Sequence, residues 1–224
     1  MRGGQAGLRV IVLHGAYGGP DTNWFPWLRA ELVARGVEVV LVRLPTPEGQ
    51  SLEAWFDAYD LVTNALAPSG TILVGHSLGA AFALRVVERA AEPFEGLFLA
   101  AAFVGALGLP AYDPLNQSFF SIPFDWAGIH ERKGAACRCW AGDDDPYVPL
   151  SRSREVADRL PGPFPYPFDE LLRNLSRKTP AAGSREAIVP SPAESFFGMP
   201  EVKRVELTMA MDGGTIERGQ VARS

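Results

Sequence analysis

The chain has 224 residues, 47% of them apolar and 21% charged, with a formal net charge of −5. This size suits one α/β domain with an ample core. The acidic balance argues against a nucleic-acid or anionic-membrane partner, and no apolar run approaches the ~20 residues of a membrane helix.

The N-terminus, Met1 to Gly7, leads straight into an apolar run and not into a signal-peptide core, so a cytoplasmic location is expected. Leu8 to Leu13 reads as a fully buried strand. It ends in the glycine-rich loop His14-Gly15-Ala16-Tyr17-Gly18-Gly19-Pro20. Asp21 or Thr22 is placed to cap a helix whose stripe is Trp24, Trp27, Leu28, Leu32 and Val33. Val37 to Val42 is a second strand. Ser51 caps a helix carrying Leu52, Trp55, Phe56, Tyr59, Val62 and Leu66 at helical spacing.

Thr71 to Glu88 organises the rest. An apolar strand, Thr71 to Val74, passes through Gly75-His76-Ser77-Leu78-Gly79 into an alanine-rich helix. A serine at a sharp strand-to-helix turn projects its hydroxyl above the sheet, in a strained backbone that only small neighbours tolerate. A buried turn needing glycines for close packing would explain Gly75 and Gly79 but not the serine. The Leu78 N–H, at the start of the helix, points where an oxyanion would form, and the helix dipole adds to it.

Gly96 to Ala102 is the next strand. Residues 103–123 show no clear period and are expected to lie over the site. Phe124 to Lys133 is a short helix, Ala135 to Ala141 a strand, and Ser151 to Leu160 a capped helix. The alternation implies a parallel sheet with helices on both faces. Ligands then bind at the carboxyl ends of the strands, where the loops after Leu13, Val74 and Ala141 converge.

An acyl-transfer site needs a base, a carboxylate to orient it and donors for the oxyanion. The Ala16 N–H offers itself as a second donor beside Leu78, although the loop alone reads equally as an ordinary glycine-rich turn. The run Asp143-Asp144-Asp145 is either a solvated acidic turn or a positioned carboxylate; Pro146 and Val148-Pro149, fixing its exit, favour the second. His14 reads as a loop brace more than a base. Cys137 and Cys139 read as buried thiols, and with His14 and the aspartates they form no metal-ligand spacing, so no metal or cofactor is expected.

His14-Gly15, Asn23-Trp24-Phe25-Pro26-Trp27-Leu28, Leu44-Pro45-x-Pro47, Trp55, Val74 to Gly79 and Asp144-Asp145-Pro146-Tyr147-Val148-Pro149 together resemble the α/β-hydrolase superfamily, and within it the small YdeN-family serine hydrolases. The resemblance covers residues 8 to about 160. It implies a Rossmann-like sheet without a large cap domain, Ser77 as nucleophile and Asp145 as triad acid. It also calls for a Gly-His beyond the helix that follows Asp145. The chain has three histidines, His14, His76 and His130, and all precede Asp145. His76 should point away from the serine, and His130 reads as a surface residue.

Residues 1–160 are therefore expected to form the hydrolase core and 161–224 an atypical, loosely packed segment. Within that segment Val205 to Met211 reads as a strand and 213–224 as a disordered tail. The resemblance fails abruptly after Leu160, so a frame-shifted or otherwise replaced terminus is the expected origin of the break; only three of 21 basic residues are lysine, which points to a GC-rich gene whose alternative frames stay open. The function implied is a serine hydrolase acting on a small ester, thioester or amide, impaired by its missing histidine. A non-catalytic binding or scaffold protein that keeps the pocket is the rival.

Overall fold

The computed structural model describes residues 8–64, 66–142 and 145–160. The expectations for the segment after Leu160 lie outside them.

Five parallel strands form one sheet in the order β2-β1-β3-β4-β5. They are β1 (Arg9–Leu13), β2 (Glu38–Val42), β3 (Thr71–His76), β4 (Gly96–Ala100) and β5 (Ala136–Trp140). Register follows the apolar runs, with Val12 beside Val74 and Val74 beside Phe98. Successive side chains of a strand face opposite ways, and the core splits accordingly. Val10, Val12, Ile72, Val74, Phe98 and Ala100 pack with Trp24, Phe25, Leu28 and Leu32 around α1 (Phe25–Val33). Ile11, Leu13, Leu73, Leu97 and Leu99 pack on the other face. There they meet α2 (Leu52–Thr63), α3 (Leu78–Arg89), α4 (Asp113–Phe120), α5 (Trp126–Arg132) and α6 (Leu150–Asp158). Helices thus cover both faces.

Several boundaries move. Trp24 stands at the α1 N-cap, its side chain making no capping bond. Thr22, expected as a cap, instead closes its own turn, accepting from Gly19 N–H and donating to Gly19 O. Val33 and Val62, assigned to apolar stripes, are exposed, while Phe25 and Thr63 are buried. Ser51 does cap α2, accepting from the Ala54 N–H at 3.1 Å. α6 starts at Leu150 after Pro149, so Ser151 is inside the helix and not its cap. β4 ends at Ala100 because Ala101 turns to φ 50°.

The largest departure is α4. Proline, glycine and aromatic residues hide its period, yet Phe119 is fully buried and the Asp113 carboxylate accepts from the N–H groups of Leu107, Gly108 and Leu109. Arg85 of α3 fixes the exit of this helix. It is 5% exposed, donates to the carbonyls of Phe119, Ile122 and Pro123, pairs with Glu88 at 2.7 Å and lies 3.7 Å over the Phe124 ring. Truncation strands those acceptors and leaves Glu88 without its ion-pair partner, held among the described residues only by the Asp125 N–H. Arg85→Met should therefore cost about 2–4 kcal/mol, read from the urea midpoint at unchanged m-value.

Candidate active site

β3 ends and α3 begins at Ser77, whose φ is 57° and ψ −125°. This conformation is uncommon for a residue with a Cβ and is held only where the surroundings fix it. Ser77 N–H donates to Ala100 O at 2.9 Å, and Ser77 O accepts from Ala80 N–H. Three glycines make room. A Cβ on Gly75 would stand 2.5 Å from Gly79 O and 2.6 Å from the Ala80 Cα. One on Gly79 would run into the carbonyl oxygens of Leu13 and His14. One on Gly15 would stand 2.8 Å from the Ser77 Cβ and 3.2 Å from its Oγ. The glycine-rich loop therefore lies directly against the serine side chain, which remains partly open to solvent.

Among the described residues, the N–H groups of Ala16 and Leu78 have no acceptor. Ala16 follows the glycine that touches Ser77, and Leu78 opens the twelve-residue α3, whose positive dipole end faces the same space. Two free donors beside a protruding hydroxyl can stabilise a developing oxyanion.

The Asp145 carboxylate follows β5. Its Oδ1 accepts from the Tyr147 N–H at 2.9 Å and the Val148 N–H at 3.0 Å. Its Oδ2 takes no bond among the described residues. Asp145 is half-buried and bears electrostatically on His76, at the end of the neighbouring elbow. Asp143 and Asp144 lie outside the described residues.

All three histidines can be placed. His14 is 1% exposed. The Leu44 N–H donates to its Nε2 at 3.0 Å, so Nδ1 carries the proton and donates to Gly15 O at 2.9 Å. Both ring nitrogens are engaged, and burial holds the pKa below its ordinary value. His14 braces the loop and has no free nitrogen for a proton from Ser77. His76 lies on the other side of the sheet, edge-on to Trp24 and Phe25 at 6.1 and 6.0 Å. Its Nδ1 is buried without a partner among the described residues, and burial lowers its pKa to about 4. His130 is exposed on α5.

His76 gives a pH dependence with a definite sign. Its folded pKa lies below the unfolded value of about 6.5, so the unfolded chain binds more protons between them. Stability is complete above pH ~6.5 and falls as the pH drops toward ~4, by on the order of 3 kcal/mol for this group. Denaturant melts from pH 7 to 4 should show the loss, and His76→Leu should shrink it while other acid-titrating groups persist.

Cys137 is buried, with its thiol pushed up to about 11 by desolvation; Cys139 is half-buried and pushed up by the same cause. Among the described residues, no three His, Cys, Asp or Glu side chains converge as metal ligands, and no helix is long and apolar enough to cross a membrane.

A sequence model of the alpha/beta hydrolase family matches residues 10–212. The chain belongs to that family. It is 32% identical over 154 residues to the putative hydrolase YdeN of Bacillus subtilis (strain 168), covering 68% of this chain and 78% of the relative. It is 27% identical over 155 residues to the serine hydrolase RBBP9 of Rattus norvegicus, covering 68% and 80%. The crystal structure of the B. subtilis ydeN gene product superposes with a TM-score of 0.61 at 31% identity, over 69% of this chain and 82% of that one. The pairwise likeness thus spans the share of the chain that the motifs marked. The family match extends past Leu160, into residues not described here.

One group at this edge of the alpha/beta hydrolase sheet was not singled out from the sequence. Tyr17, Tyr112 and Tyr147 stand on three different loops, with Tyr17 and Tyr112 edge-to-face at 5.1 Å and Tyr112 and Tyr147 at 5.6 Å. Only the position of Tyr17 and Tyr147, two residues beyond Gly15 and Asp145, could have marked them.

Proposed function

We propose that this chain is a serine hydrolase scaffold for a small ester, thioester or amide, with Ser77 as the attacking group. The Ala16 and Leu78 N–H groups would hold the oxyanion, and Asp145 would orient a base. The observation that carries this reading is the strained elbow: Ser77 at φ 57°, with Gly15 pressed against its side chain. A strained serine beside two unsatisfied donors has no structural need to be a serine. In the reaction, Oγ bonds the acyl carbon, the bond to the leaving group breaks, and water later releases the acid. The hydroxyl proton must go to a base in the first step and return from one to the leaving group.

No histidine of the chain is positioned for that task, since His14 is doubly bonded, His76 faces α1 and His130 is exposed on α5. This supports a second reading, a binding or scaffold protein that keeps the pocket. A fluorophosphonate label decides between them. Covalent labelling of the native chain, lost in Ser77→Ala, supports a reactive serine. Absence of label, with the pocket still binding acyl compounds, supports the binding protein. The small acyl substrate, the absence of nucleic-acid or membrane partners and the cytoplasmic location remain parts of the proposal.

A further inference from the structure

We propose that Tyr17, Tyr112 and Tyr147 form an aromatic wall at the mouth of the Ser77 site, and that this wall selects acyl compounds carrying a flat ring. The inference rests on the Ser77 site being an acyl-compound site and names its substrate class.

The wall is assembled from three separate loops. Tyr17 comes from the loop after β1, Tyr112 from the segment between β4 and α4, and Tyr147 from the loop after β5. All three loops leave the carboxyl edge of the sheet, as the Ser77 elbow does. Tyr17 lies two residues beyond Gly15, which abuts the Ser77 side chain. Tyr147 lies two beyond Asp145, whose carboxylate accepts its N–H. Tyr112 sits between them and touches both rings.

The outer rings are held but not covered. Tyr17 has φ 57°, a conformation a side-chain-bearing residue seldom adopts. Its N–H donates to Thr46 Oγ1 at 2.8 Å and its hydroxyl to Ala111 O at 3.0 Å. Thr46 in turn donates to Gln50 Oε1, and Gln50 to Asn116 Oδ1 at 2.9 Å, a buried residue of α4. A chain of hydrogen bonds thus fixes the Tyr17 backbone across three segments, and the hydroxyl bond fixes its ring. Yet Tyr17 remains 49% exposed and Tyr147 54%. Rings held rigidly and left in water gain little from the fold itself. Their faces suit another flat ring, which binds them at small entropic cost because tyrosine has few rotatable bonds. The Tyr112 phenol is held above its ordinary pKa, first by desolvation and then by its two neighbours.

The test is equilibrium binding to the Ser77→Ala chain, with Ser77→Gly as a second background that relieves the positive φ. Phenyl acetate and cyclohexyl acetate, similar in size but different in flatness, are titrated by ligand-observed NMR. The expected result is a preference of about 5–10-fold for the phenyl ester, lost in the Tyr17→Leu/Tyr147→Leu double variant with unchanged far-UV CD. Equal affinities, no binding of either ester, or a preference that survives the double substitution would each overturn the proposal. Fluorophosphonate labelling of the unsubstituted chain is read separately, so a site that reacts but does not prefer rings, and one that prefers rings but does not react, are told apart.

Discussion

The purified chain should turn over p-nitrophenyl acetate on the order of 10⁶-fold more slowly than an enzyme with a complete triad. Loss of the histidine alone costs about that much in kcat elsewhere, leaving roughly 10³–10⁴ over water from the oxyanion donors and binding. The residual rate should follow hydroxide: with no imidazole placed to take the Ser77 proton, the rate should climb with pH and show no plateau near pH 7. Added imidazole should raise it in the native chain more than in Ser77→Ala, which controls for direct attack by imidazole on the ester. A turnover of about 1 s⁻¹ or more, abolished by Ser77→Ala, would sink this view of the site. His14→Ala and His130→Ala would then find the base.

The second large effect is on folding. Gly79→Ala places a methyl group against the carbonyl oxygens of Leu13 and His14. These are backbone atoms at the end of β1, an interior strand flanked by β2 and β3, and cannot yield as a flexible side chain would. A loss of about 3–5 kcal/mol, or failure to accumulate folded protein, is expected. In a chain of this size that is a fall of roughly 10–15 °C in Tm. Gly19→Ala is the control, because its methyl would meet its neighbours only at 3.9 and 4.0 Å. It should change stability by less than about 1 kcal/mol. Equal melting of the two variants would show that the elbow packs more loosely than its backbone contacts imply.

The inner strands β1, β3 and β4 were legible because each is a short apolar run bounded by loop residues, and burial on both faces leaves few other ways to satisfy such runs. The elbow was legible for a different reason: glycine, serine and glycine at that spacing meet a steric demand, and the 2.5 and 2.6 Å approaches at Gly75 show how severe it is. The brace role of His14 could be anticipated, but not the two bonds that define it, since Leu44 is 30 residues away. α4 was missed because its capping comes from the Asp113 carboxylate reaching back to Leu107, Gly108 and Leu109, with a buried arginine beyond its last turn. Neither leaves a period in the sequence. The tyrosine wall was invisible for a related reason. Its members are 95 and 35 residues apart, and only the folding of three loops to one edge makes them neighbours.

The contact of Gly79 with the Leu13 and His14 carbonyls also sets the order in which this pocket could gain or lose chemistry. It seats the head of α3 on the end of β1, so the serine and both donors are locked into one block by residue 100. That block owes nothing to a proton acceptor arriving later in the chain. A histidine brought in on a grafted loop would meet a cradle already cast, which makes this chain a ready recipient for installing a base by design.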